Sequence, residues 1–314
     1  MTQFGLRAWA FVFLIVLTTS AHAQLRAPVS GDLIRRYANG LLGLMAYTIA
    51  PDVTTSSLAI QDINSDNPGL TLSQLGGGFV VSDDTRFFLE GNAAYARYDP
   101  RFVVSDGTET SLVPGKWNAF SATGGIGYDF PLSSKWSLRP IFNFTLGQVA
   151  SDLKLALAYL GLKTGRDLEF LNSGHLDVYG LGGSLMLVYR YNKPERDIEF
   201  EGRYTNVELR SYGSTTDVVR GQTKAQSLIL WSRMRVPTGL VAMQRPVRYV
   251  FELAHSRYFD TVNVLGIDNL TSFGLGLELD SGAYDVIATR WRAVIRHLVG
   301  PNVSGWSLGL AVSF

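Results

Sequence analysis

Residues equipped for chemistry are sparse along this 314-residue chain. The step His255-Ser256 in "AHSR" offers the base and nucleophile of a Ser/His hydrolase. The surrounding run reads as a strand, however, and adjacent strand residues point to opposite faces, so the two side chains cannot work together. His175, His255 and His297 are scattered over strand ends and a loop, whereas a metal site needs three or four converging ligands. Asp83-Asp84 sits where a tight turn is expected, and carboxylates there serve the turn. Gly76–Gly78 and the run "GLGGSL" lack the strand–loop–helix setting of a phosphate loop. There is no cysteine, hence no thiol chemistry and no disulfide framework. No catalytic, cofactor-binding or metal-binding constellation emerges, and the chain is expected not to be an enzyme and to carry no cofactor.

Charge placed on alternate positions is what does recur. "RDIEFEGRY" carries Glu199, Glu201 and Arg203 on one parity, against Ile198, Phe200 and Tyr204 on the other. "SLILWSRMRV" sets Arg233 and Arg235 against Leu228, Leu230 and Met234. Arg248 and Glu252 alternate with Tyr249, Phe251 and Leu253. Glu278 and Asp280 alternate with Phe273, Leu275 and Leu277, and Arg290, Arg292 and Arg296 with Trp291 and Ile295. A period of two means strands with one charged face and one apolar face. Two enclosures allow this: a soluble sandwich with the apolar face inward, or a membrane barrel with that face outward to lipid.

The elements that carry these residues favour the barrel. The alternating runs span about 10–14 residues, which suits a tilted bilayer crossing better than the usual soluble strand of about 5–6. The polar parity is rich in Gly, Ala and Ser, as a narrow lumen requires. Connections alternate in length. Short turns are expected at Ser82–Thr85, Pro131–Lys135, Asn192–Arg196, Pro237–Gln244 and Ser281–Ala283, and longer loops at Asp99–Lys116, Ala150–Gly174, Ser211–Thr223 and Asp260–Asn269. That is the periplasmic-turn and external-loop pattern of outer-membrane barrels. Counting strands, with a weaker pair at Thr54–Gln61 and Thr71–Val81, gives an all-β, antiparallel, up-and-down transmembrane barrel of about 12 strands. Lumen charges must be paired or hydrated. They make either a salt-bridged, nearly closed interior or a small, weakly anion-preferring pore.

The start of the chain reads differently. Arg7, an apolar core from Ala8 to Leu17 and Ala21-His22-Ala23 form the layout of a signal peptide, residues 1–23, with cleavage before Gln24. Losing it removes Arg7 alone of the 28 basic residues and leaves 27 against 27 acidic ones, a neutral balance that gives no reason to expect a nucleic-acid partner. Residues 24–53 form an N-terminal segment. Within it Ser30 could cap a short helix whose Leu33, Ile34, Tyr37, Leu41 and Leu44 share a face, placed as a plug in the lumen or in the periplasm. The barrel then takes residues 54–314.

The chain ends "GWSLGLAVSF", with Trp306, Leu308, Leu310, Val312 and Phe314 on one parity. This resembles the closing strand of bacterial outer-membrane proteins. The length, the strand count, the preceding helix and the Gly-aromatic hairpins resemble the translocator barrel of autotransporters. The resemblance implies that Leu310, Val312 and Phe314 are read by the barrel assembly machinery, and that the partners are outer-membrane lipid and lipopolysaccharide. A translocator carries a large passenger before its barrel; here about 30 residues separate Gln24 from the first strand. The expectation is a solitary, monomeric, porin-like barrel in the outer membrane of a Gram-negative envelope, with a structural or narrow-channel role. The alternatives are a surface adhesion protein working through its loops and an outer-membrane hydrolase.

Overall fold

The chain divides into two units, Met1–Ser30 and Gly31–Phe314. The computed structural model describes residues 39, 42–49, 57–62, 70–82, 84–98, 101–105, 110–114, 117–151, 175–213, 221–259, 268–281, 289–301 and 303–313, all in the second unit. The signal peptide and Phe314 lie outside the described residues.

The alternating segments form strands β1 (Ser57–Asp62), β2 (Leu70–Val80), β3 (Phe87–Tyr98), β4 (Arg101–Ser105), β5 (Thr110–Pro114), β6 (Trp117–Tyr128), β7 (Phe130–Pro131), β8 (Trp136–Ser151), β9 (His175–Lys193), β10 (Arg196–Tyr212), β11 (Gln222–Ala242), β12 (Arg245–Phe259), β13 (Asn269–Asp280), β14 (Arg290–Val299) and β15 (Val303–Ser313). Twelve of them lie side by side, antiparallel, in the order β6-β3-β2-β1-β15-β14-β13-β12-β11-β10-β9-β8. β6 also pairs with β8, which closes the ring and leaves no free edge. β4 and β5 make a separate hairpin within the β3–β6 loop, and β7 pairs with the start of β8. The ring is the up-and-down barrel that the alternation predicts, and the weaker leading pair falls at β1 and β2. A short helical segment, residues 42–46, precedes the ring.

Period-two alternation sorts the side chains. β3 reads exposed, buried, exposed, buried from Phe87 to Ala96, and β6 and β14 do likewise. The outward parity carries the large apolar residues: Leu275 is 65% exposed, Phe273 58% and Trp306 63%. The inward parity carries arginines, carboxylates and small residues toward the turn end and buried aliphatic residues toward the loop end. An apolar wall around a polar interior is the arrangement of a membrane barrel, inverted from that of a soluble protein.

Two connections differ from the reading of the sequence. The turn expected over Pro237–Gln244 shrinks to Met243 and Gln244, both at positive φ (53° and 63°), as a tight primed hairpin turn requires. Pro237 cannot donate to the ladder, and the register slips between Pro237 and Val241. The Thr238 hydroxyl bridges the irregularity by donating to the Val247 carbonyl (2.8 Å) and accepting from the Leu240 amide (2.9 Å). After β13 the chain returns to the ladder at Arg290, with Asp280 opposite it, so residues 281–289 connect the strands in place of the three-residue turn expected at Ser281–Ala283.

Candidate functional site: the filled lumen

The lumen has two levels. The turn end carries the charged residues. Here the inward parity brings Glu199, Arg233, Arg235, Arg248, Glu252, Glu278, Asp280, Arg290, Arg292 and Arg296 into one connected set, while Arg203 belongs to a separate one. Glu199 accepts from Arg233 and from Arg235 (2.7 Å). Arg235 also approaches Glu278 (3.4 Å), which takes two further bonds from Arg292 at 2.9 and 2.7 Å. Arg248 joins Asp197 to Asp280, the latter at 2.6 Å, and Arg290 lies 3.8 Å from Asp280. Arg296 donates twice to Glu252, at 2.8 and 2.7 Å, and Arg233 stands 3.9 Å from the other Glu252 oxygen. Glu201 faces the lumen on the rung of Val188 and Trp231 and makes no ion pair among the described residues.

Glycines make room for the pairs. Glu252, Gly274 and Arg296 share one rung, and a Cβ on Gly274 would stand 3.1 Å from both neighbours' side chains. Folding the sequence around Gly282 places Arg290 opposite Gly274, and the preceding loop places Glu252 opposite Gly276, which pairs Glu252 with Arg290 across two glycines; the observed ladder sets Glu252 opposite Gly274, two residues away. The longer connection moves the β13–β14 register by six residues, so Arg296 takes the position and Arg290 falls at the mouth.

The same device recurs with residues that the charge pattern of the later strands did not reveal. Glu90, Gly125 and Asn143 share a rung, and Asn143 donates to Glu90 (2.6 Å) across Gly125. From the far wall Arg203 grips both Glu90 oxygens at 2.7 Å. Arg203 is held in turn by Ser184 (2.9 Å) and Thr205 (3.1 Å), and Ser184 donates to Asn143 (2.7 Å). β3 and β10 are thereby strapped across the lumen. Asp129 and Arg139 form a further pair at the turn end (2.9 Å). The signal for Glu90 was available: it shares the inward parity of β3 with Phe88 and Asn92.

The loop end is apolar inside. Leu70, Leu72, Ala96, Ala119, Val149, Leu176, Val178, Val207 and Leu209 face inward there and are almost fully buried. They are covered by the segment that precedes β1: Leu42, Leu44, Met45 and Ile49 are at most 1% exposed. Thr48 hydrogen-bonds Ser121 (2.6 Å), and its carbonyl accepts from Asn92 (2.7 Å). Tyr47 packs on Tyr258, ring centres 4.6 Å apart. Burial, with Tyr258 and Asp268 close by, holds the Tyr47 phenol protonated well above the ordinary tyrosine range. A Cβ on Gly147 would collide with Met45 at 2.5 Å, so the wall is thinned where the segment rests. Asn39 accepts from the amide of Gln222, the first residue of β11 after a loop, while Thr48 reaches the middle of β3 and β6. The segment therefore descends from the loop end.

The remaining candidates stay apart. His255 faces outward and bonds Thr271 (2.9 Å), while Ser256 lies on the opposite parity. His297 packs on Trp306, ring centres 4.7 Å apart. The side chain of His175, and Asp83, lie outside the described residues. Among the described residues no cluster of three or more His, Cys, Asp or Glu could hold a metal. Leu310 and Val312 are on the outward wall, 61% and 38% exposed.

No protein-family model matches the chain, and no curated protein matches it. Among solved structures it is similar to autotransporter translocator barrels. The β-domain of the Bordetella autotransporter BrkA is 17% identical, covers 83% of this chain and 97% of its own, and has a TM-score of 0.45. The translocator domain of NalP from Neisseria meningitidis is 12% identical over 89% of this chain and 95% of its own, TM-score 0.44. LpxR from Salmonella typhimurium is 9% identical over 91% and 97%, TM-score 0.41. Likenesses of this size carry nothing about activity; the barrel itself stands on its strand pairing, and that pairing gives the chain the fold of an outer-membrane β-barrel protein.

Proposed function

We propose that this chain is a self-plugged outer-membrane barrel with a structural role, its lumen shut at rest and not a solute channel. One observation carries the reading: both levels of the lumen are occupied by the chain itself. Apolar burial of Leu42, Leu44, Met45 and Ile49 fills the loop end; at the turn end the Glu90–Arg203 pair crosses from β3 to β10 and a connected set of ion pairs lines β10–β14. Burying four such side chains stabilises the inserted segment by roughly 1.5–3 kcal/mol each. The Glu90–Arg203 pair spans the lumen from β3 to β10, and the buried ion pairs of β10–β14 crowd the inner face beside it, which supports a bore shut to hydrated ions. Export by the signal peptide, a monomeric state, delivery through the barrel assembly machinery by Leu310, Val312 and Phe314, and lipopolysaccharide as neighbour complete the reading.

The test is single-channel recording of the purified full-length barrel in planar bilayers. The reading predicts no resolved conductance steps. Steady steps of porin size from folded, monomeric protein would establish the narrow-channel reading in its place.

A further inference from the structure

The outward wall of β12–β15 carries a gradient that the lumen does not explain. Phe251, Leu275, Ile295 and Leu308 form one outward rung, all hydrocarbon. The next rung toward the loop end is Leu253, Phe273, His297 and Trp306. The next is His255, Thr271, Val299 and Ser304, and after it Arg257 faces Asn269. Apolar, then aromatic, then hydroxyl and imidazole, then guanidinium is the order in which a bilayer passes from its core to its headgroups. The distance agrees. Val247 to Arg257 is ten residues on one face, about 34 Å along a strand and about 26 Å along the axis at a tilt of about 40°, which matches an apolar band of about 25 Å.

Arg257 also differs from the arginines inside. Arg139, Arg203, Arg233, Arg235, Arg248, Arg290, Arg292 and Arg296 each lie within 4.0 Å of a carboxylate. Arg257 has no ion pair among the described residues; its guanidinium lies 5.4 Å from the Phe259 ring centre. Its outward neighbours across the ladders are Leu228 and Asn269. His255, two residues nearer the bilayer core, is tied to Thr271.

We propose that Arg257, with His255, Thr271 and Asn269 beneath and beside it, binds a phosphate group of lipopolysaccharide in the outer leaflet. The proposal rests on the outer-membrane reading, which places the loop end outside. A planar, permanently charged fork suits bidentate phosphate recognition, and hydroxyl, amide and imidazole groups supply the further donors. Phe259 and the rung of Phe273, His297 and Trp306 would lie against the acyl chains and the sugar.

The experiment measures binding to the detergent-solubilised full-length barrel by native mass spectrometry. The probes are lipopolysaccharide, the same lipopolysaccharide with its phosphates removed, and phosphatidylglycerol. Arg257→Gln should weaken lipopolysaccharide binding about tenfold, Arg257→Lys should recover part of it, and Lys224→Gln, four residues up the neighbouring strand from Leu228, should leave it unchanged. Dephosphorylation should weaken binding to the unaltered protein and change nothing further for Arg257→Gln. All variants must keep the compact, heat-modifiable form. Equal binding by Arg257→Gln and the unaltered protein overturns the site. Phosphatidylglycerol bound as tightly, with the same dependence on Arg257, overturns the assignment to lipopolysaccharide. Neither result touches the plugged lumen, which the conductance measurement tests on its own.

Discussion

Removing the charge of Glu90 or Arg203 should destabilise the barrel far more than removing both. Their side chains are 2% and 6% exposed, and two bonds of 2.7 Å join them. Breaking a buried pair from one side costs about 3–5 kcal/mol, because the remaining charge is left without its partner. Glu90→Gln leaves the buried Arg203 guanidinium with neutral acceptors alone, the Gln carbonyl and the Ser184 and Thr205 hydroxyls, so it belongs at the upper end of that range. Arg203→Gln leaves the Glu90 carboxylate with the Asn143 amide, so it belongs lower. The double variant holds no charge at the strap and loses only neutral-strength hydrogen bonds, about 1–2 kcal/mol in total. The coupling from the cycle should then be at least about 3 kcal/mol in favour of the intact pair. Denaturant unfolding in lipid vesicles, followed by tryptophan fluorescence, supplies the four free energies. Additive single effects would mean that the two side chains do not meet across the lumen.

Two further outcomes follow from the wall. Leu275→Arg and Leu308→Arg, both on the hydrocarbon rung, should each cost roughly 2–4 kcal/mol in the same unfolding measurement; a change below about 0.5 kcal/mol would place that rung outside the bilayer. Deleting Phe314 should lower the amount of folded barrel recovered from outer membranes, measured by heat-modifiable migration; full recovery would remove the assembly signal from the account.

What the sequence made legible is parity, and what it hid is register and the company of each charge. Every alternating run from Trp117 onward shows its faces without ambiguity, because lipid on one side and a narrow lumen on the other select opposite residue types at period two. Register depends on connection lengths, and the turn after Asp280 gives no sign of extending to residue 289. The resulting error of six residues is even, so Arg290 stayed on the correct face while losing Glu252 to Arg296. Glu90 went unnoticed because it is the one acidic residue in β3, a run dominated by alanines and aromatics, and Asn143 was legible as a polar-face residue but not as the partner of Glu90. Only the closure of β3 and β6 onto β8 shows that they meet. The helix before β1 was readable as amphipathic, but its place was not. That choice depended on the apolar inner surface at the loop end, spread over Leu72, Val149, Val178 and Leu209 on four strands, and no single run displays it.

The most direct measurement of the plugged lumen is a cross-link. The chain has no cysteine, so Thr48→Cys with Ser121→Cys introduces the protein's only two thiols. The hydroxyls they replace are 2.6 Å apart, close enough for a disulfide once the side chains turn toward each other. Mild oxidation of the folded barrel in membranes should convert nearly all of the double variant to the disulfide form, seen as loss of thiol labelling after denaturation. Either single variant should stay fully labelled. If both thiols of the folded double variant remain free under conditions that oxidise a surface cysteine pair, residues 42–49 do not occupy the lumen, and the barrel is not closed by its own chain.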